Sequence, residues 1–180
     1  MRIRPVALFV STLFLFISVS SFAQTPRRRT PQAPVRAGND ATEVAIGVTT
    51  LTENYGTGVG VEGDVMFPLS TSRSMTLGGV VDGSFNKFSG FYEASVLGGV
   101  RIIANARGSI RPFGQFLAGI EHCNICASND PSFEPGGGVD LKLSRSNVSI
   151  RAEVGYRVTP SDIRTYKEFH FFGGIAFGLR

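Results

Sequence analysis

The chain has 180 residues, enough for one domain with a sizeable closed sheet, and its 22 glycines, 9 prolines and low charge suit strands joined by tight turns. The formal net charge of +4 sits at the front: Arg2 and Arg4 carry +2, residues 24–40 carry +3 (four Arg, one Asp), and residues 41–180 are left with −1. That balance argues against a basic nucleic-acid-binding domain.

Residues 1–23 have the form of a secretory signal peptide. Two arginines precede an apolar run from Val6 to Val19, and Ser21-Phe22-Ala23 offers small residues for cleavage after Ala23. An uncleaved anchor is the competing reading, but the apolar run is short for a membrane span and ends in a cleavage pattern. No other long apolar run exists, so no transmembrane helix is expected. Residues 24–41, with Arg27-Arg28-Arg29 at their centre, lack hydrophobic periodicity and are expected to form a disordered, Pro/Arg-rich periplasmic leader.

From residue 42 to 180 the pattern predicts eight strands, each with one oily and one small or polar face. The first, 43–52, puts out Val44, Ile46 and Val48. The second, 57–67, sets Val59, Val61, Val65 and Phe67 against Gly60, Glu62 and Asp64. The third, 73–85, sets Met75, Leu77, Val81 and Phe85 against Thr76, Asp82 and Ser84. The fourth, 91–103, sets Tyr92, Ala94, Val96, Val100 and Ile102 against Glu93, Ser95 and Arg101.

The fifth, 111–121, sets Phe116, Ala118 and Ile120 against Arg111, Gln115 and Glu121. The sixth, 133–143, sets Val139, Leu141 and Leu143 against Glu134, Asp140 and Lys142. The seventh, 147–158, sets Val148, Ile150, Ala152, Val154 and Tyr156 against Ser149, Arg151, Glu153 and Arg157. The eighth, 166–179, sets Phe169, Phe171, Ile175, Phe177 and Leu179 against His170, Phe172, Ala176 and glycine. These lengths suit tilted strands that cross a bilayer.

The connections are expected to alternate: tight turns near Ser70-Thr71, 106–108 and 145–146, longer loops over 83–90, 122–132 and 159–165. Phe85, Tyr92, Phe133, Tyr156 and Phe169 fall at the long-loop ends of the oily faces, and Phe67 and Phe177 at the other, as candidate aromatic girdles without tryptophan. A soluble secreted ligand-binding barrel would line its lumen with apolar groups and turn its polar face to water. Here uniformly aliphatic faces oppose faces of acids, bases and glycines, which fits lipid outside and a narrow interior within.

On this strand pattern, turn asymmetry and aromatic closing strand, residues 42–180 resemble the small OmpA-type outer-membrane β-barrels. The resemblance implies an all-β fold: an eight-stranded antiparallel up-and-down transmembrane barrel in the outer membrane, in contact with its lipid and inserted by the barrel-assembly machinery. No peptidoglycan-binding domain is expected after the barrel, so that role of longer relatives is not implied. Such barrels usually end in an aromatic residue; Phe177-Gly178-Leu179-Arg180 makes that signal degenerate here.

Gly58, Gly60 and Gly63 match dinucleotide-binding spacing, but that chemistry needs a helix after the last glycine, and Asp64-Val65-Met66-Phe67-Pro68 continues as strand. Cys123 and Cys126 are a disulfide candidate in an oxidising compartment; a redox pair would need a helix start, and zinc would need ligands beyond His122. His170 faces the lumen with Glu168. A lipid-modifying enzyme would need serine and an acid beside histidine, and neither His122 nor His170 has that setting in the sequence. No catalytic, cofactor or metal residue is therefore assigned.

If Arg145-Ser146 is a hairpin tip, the register sets Asp140 opposite Arg151 and Glu134 opposite Arg157, with Glu168 in reach of Arg157 across the next hairpin. These five are the candidate lumen ion pairs. The expected protein is a non-enzymatic barrel with a plugged polar lumen and a structural or surface-contact role. A lipid-modifying enzyme, a narrow pore and a soluble secreted barrel are the alternatives. The sequence points to no surface partner.

Overall fold

In the computed structural model the described residues are 41–180, apart from 54–55, 106–107, 126–128, 144–146, 162–163 and 180. The signal peptide, its cleavage point, nearly all of the leader, Cys126 and the Arg145-Ser146 tip lie outside them. Eight strands follow in order: β1 Thr42–Glu53, β2 Gly56–Thr71, β3 Met75–Lys87, β4 Tyr92–Ala104, β5 Ile110–Cys123, β6 Asn129–Lys142, β7 Val148–Pro160 and β8 Thr165–Leu179. Each pairs antiparallel with its neighbours in sequence, and β8 returns to β1 from Thr42↔Leu179 to Thr52↔Phe169, closing the sheet. Closure removes the edge strands that an open sheet would expose. No helix of the described residues is long and apolar enough to cross a membrane.

The two faces follow the sequence alternation. Ile46, Val61, Val81, Val100, Phe116, Ile150 and Phe171 point outward and are about half exposed, while their neighbours in each strand are buried inside. An aliphatic outer wall and a charged interior invert the usual soluble arrangement. Phe85 packs against Tyr92 and Tyr156 against Phe169, both with ring centroids 5.3 Å apart, on the outer wall.

The strands run to 12–16 residues, longer than the roughly 9–11 that span a bilayer, and this overturns the expected loop asymmetry. β3 continues to Lys87, β6 begins at Asn129 and β2 runs on to Thr71, so stretches expected as loops are strand. The connections left are 54–55, 88–91, 124–128 and 161–164 at one end, and 72–74, 105–109 and 143–147 at the other. The physical reason is that 129–132 pairs fully with β5, from His122↔Asn129 to Gly119↔Ser132, so its backbone groups are satisfied in a ladder. Ser72–Ser74 forms the β2–β3 turn, after a register shift between Pro68 and Ser70.

Two local features shape the interior. Pro135 has no N–H to give, and the β6–β7 ladder skips Glu134 and Pro135 between Phe133↔Val158 and Gly136↔Gly155. Gly60 lies where the strands crowd: a Cβ there would stand 1.8 Å from the Phe85 carbonyl oxygen. With Gly58 and Gly63 it belongs to β2, as strand and not as a phosphate-binding turn.

Candidate functional site: the ionic lumen and its acidic mouth

The inward face of each strand delivers every second side chain to one narrow column. Near the end that holds Thr42 and Leu179, here the terminal end, Arg151 is the hub. Its Nε donates to Asp140 Oδ1 at 2.7 Å, one terminal nitrogen to Asp64 Oδ2 at 2.9 Å, and the other to Glu43 Oε2 at 3.3 Å. Arg111 binds Glu43 at 2.8 Å and Asp140 at 3.0 Å, so the two arginines share two acids. Arg101 donates to Gln115 Oε1 at 2.6 Å and Asp64 Oδ1 at 2.9 Å, and Gln115 passes a hydrogen bond on to Glu153. The Phe113 ring lies under both Arg101 and Arg151, with centroid distances of 4.7 and 5.1 Å. Flat guanidinium groups can stack on a ring while their edges bind carboxylates, which lysine cannot do.

Further up, Arg157 Nε donates to Glu134 Oε2 at 2.7 Å and a terminal nitrogen to Glu121 at 3.4 Å. His170 stands on the other side of Glu134, with Nδ1 2.7 Å from Oε1, while its Nε2 lies 2.6 Å from Glu62 and 2.8 Å from Thr49 Oγ1. Arg101, Arg151 and Arg157 are at most 1 % exposed. A buried charge is tolerated best when paired and hydrogen-bonded, and here two paired clusters, one around Arg151 and one around Glu134, occupy the column.

Asp140 meets Arg151 and Glu134 meets Arg157, each across the β6–β7 hairpin. Glu168 differs. It stands opposite Arg157 in the β7–β8 ladder, but Arg157 is engaged by Glu134 and Glu121, and neither Glu168 oxygen has a hydrogen-bond partner among the described residues. Cys123 is disulfide-bonded. His122 is exposed, with Nδ1 2.8 Å from Asn129 Oδ1. The series Thr49–His170–Glu134 has the types of a hydroxyl nucleophile, a base and an orienting acid. However, Thr49 is fully buried, and Glu62 competes for the same imidazole nitrogen.

Sequence reasoning placed Phe172 and Ala176 inward, where with Ala45 they form one small hydrophobic cluster, but it missed the larger one of Met66, Val80, Leu97, Ile103, Phe113 and Leu117. Their alternation was visible, but the acids and arginines beside them defined the face.

Acids outnumber bases inside. Ten Asp and Glu are buried among the described residues, against four Arg and His170. Towards the terminal end Glu43, Asp64, Asp140 and Glu153 face Arg101, Arg111 and Arg151, which is nearly balanced. The other half holds Glu62, Asp82, Glu93, Glu121, Glu134 and Glu168 with only Arg157 and His170. Above it, at the mouth end, a pocket of about 140 Å³ is lined by Glu53, Glu93, Glu121, Asp130, Arg164 and Tyr166, among others.

No family model matches the sequence, and no curated protein does. Among solved structures the chain is similar to Neisserial surface protein A (NspA), with a TM-score of 0.54 and 11 % identity over 78 % of this chain and 97 % of that one. It is similar to OprG of Pseudomonas aeruginosa, with a TM-score of 0.54 and 7 % identity over 80 % of this chain and 98 % of that one. A third is Ail, the attachment invasion locus protein of Yersinia pestis, with a TM-score of 0.50 and 14 % identity over 78 % of this chain and the whole of that one. At such identities the likeness is one of fold. With its closed eight-stranded antiparallel sheet, aliphatic outer wall and ion-paired core, the chain has the fold of the small OmpA-type outer-membrane β-barrels.

Proposed function

We propose that this protein is a non-enzymatic outer-membrane barrel whose ion-paired lumen is closed to solutes, and that it serves the envelope as a structural element or a contact surface. The observation that carries this reading is a pair of buried clusters, one of Arg101, Arg111 and Arg151 with their acids and one of Arg157 and His170 around Glu134, which fill much of the column with paired side chains. An eight-stranded barrel has little interior volume left once its side chains pack. Two solved neighbours are named as a surface protein and an attachment protein, in keeping with an outward-facing role. The implied partners are outer-membrane lipid and the barrel-assembly machinery.

The test is solute flux through liposomes that hold the refolded protein, on material that partitions with the outer membrane in cells. Flux equal to that of protein-free liposomes supports the closed lumen. Flux of small sugars or amino acids would replace it with the pore reading, and altered lipid A in a deletion strain would bring back the enzyme.

A further inference from the structure

We infer that the mouth of the barrel is a binding site for a hard divalent cation, calcium foremost, held by Glu53, Glu93 and Glu168. These residues come from β1, β4 and β8, and a carboxylate oxygen of each lies within 4.8 Å of one from both others. Calcium sits about 2.3–2.6 Å from its oxygen ligands, so two oxygens on one ion are at most about 5 Å apart. Three oxygens that close have a common point at most about 2.8 Å from each, so a side-chain shift of a few tenths of an ångström lets one ion touch all three. The donors are all oxygen, with no thiol or imidazole among them, which selects calcium or magnesium over zinc or copper.

Proximity of acids alone would not make a site. The second observation is that Glu168, 1 % exposed, has no hydrogen-bond partner for either carboxylate oxygen among the described residues, and that Glu93 Oε2 is likewise without one. A buried carboxylate normally has its lone pairs filled, and leaving them empty is costly. Two such groups share one cluster at the top of the column, in the half where buried acids exceed bases by six to two. Among the described residues the cations that face the cluster are Arg157 from below and Arg164, whose charge acts on Glu53 at the rim. Arg157 is bound to Glu134 and Glu121, and Arg164 lies over the Tyr166 ring at 4.4 Å. The pocket lined by Glu53, Glu93 and Glu121 gives an ion and its remaining water ligands a way in. Magnesium demands stricter octahedral geometry and gives up water reluctantly, so it should bind more weakly to such an irregular cluster.

The inference goes beyond the proposed function and does not depend on whether the lumen conducts. Full-length protein refolded in detergent would be titrated with calcium chloride by calorimetry and followed by its urea unfolding midpoint, with EDTA and magnesium chloride as references. The expected result is one calcium per chain with a Kd of about 0.1–1 mM, the range of modest extracellular sites, and a calcium-dependent rise in the midpoint. Glu168→Gln and Glu93→Gln should each weaken binding by roughly tenfold or more, about the effect of losing one ligand. In EDTA both should be at least as stable as the parent, because they relieve repulsion. Glu43→Gln, at the terminal end, should keep the calcium response whatever it does to stability. Absence of a calcium response in the parent would overturn the inference, and so would an undiminished response in Glu168→Gln.

Discussion

Removing the Arg151 side chain tests whether the lumen is a dry ionic core. In Arg151→Ala, Asp140, Asp64 and Glu43 lose contacts at 2.7, 2.9 and 3.3 Å together. None is left wholly bare: Arg111 still binds Asp140 at 3.0 Å and Glu43 at 2.8 Å, and Arg101 still binds Asp64 at 2.9 Å. Breaking a buried ion pair on one side costs about 3–5 kcal/mol, and the surviving arginines place this case at the lower end, about 3 kcal/mol. With a urea slope of about 2 kcal/mol per molar, the midpoint should fall by about 1.5 M. The assay is urea unfolding of the refolded barrel, with the folded fraction read from its faster migration on gels run without heating. Arg73→Ala, at the exposed β2–β3 turn, is the control and should barely move the midpoint. Adding Asp140→Asn to Arg151→Ala should recover part of the loss, since an unmatched charge goes with it. Equal small shifts from Arg151→Ala and Arg73→Ala would mean that water screens the network, and the closed-lumen reading would fall.

Other substitutions test other parts of the fold. Gly60→Ala should sharply reduce the yield of closed barrel, because its methyl would meet the β3 backbone, whereas Gly114→Ala, where a Cβ meets nothing within 4 Å, should fold normally; comparable refolding yields would refute the crowding argument. Val100→Arg on the outer wall of β4 should destabilise the protein in bilayers by about 2–4 kcal/mol, a depth-dependent cost of charge in lipid. Full tolerance of that arginine in liposomes would contradict a lipid-facing wall. Thiol labelling of intact cells should succeed only after a reductant is added, given the bonded state of Cys123, and labelling without it would argue against that bond in the cell.

The eight strands and the side each residue takes were legible in the sequence because a strand's period of two is local. Val59 and Val61 announce an outer wall, and Glu62 and Asp64 an interior, without any knowledge of partners. The β6–β7 register was legible for a similar reason: a short hairpin fixes its own pairing, and Asp140 and Arg151 confirm each other only in that one. Strand ends were less so, since polar segments such as 129–132 satisfy their backbone in a ladder or in a loop equally well, and only pairing with β5 chooses.

What crosses the lumen was decided by closure alone. Arg151 meets Asp64 and Glu43, 87 and 108 residues away, and His170 meets Thr49 and Glu62, 121 and 108 away. No local pattern encodes these encounters, because they depend on the radius of the ring and on the stagger between strands. Closure also sets Glu53, Glu93 and Glu168 around one point and leaves Glu168 without the hydrogen bond to Arg157 that its ladder position suggested. The sequence thus determined that acids and bases point inward; only the closed ring determined which of them meet.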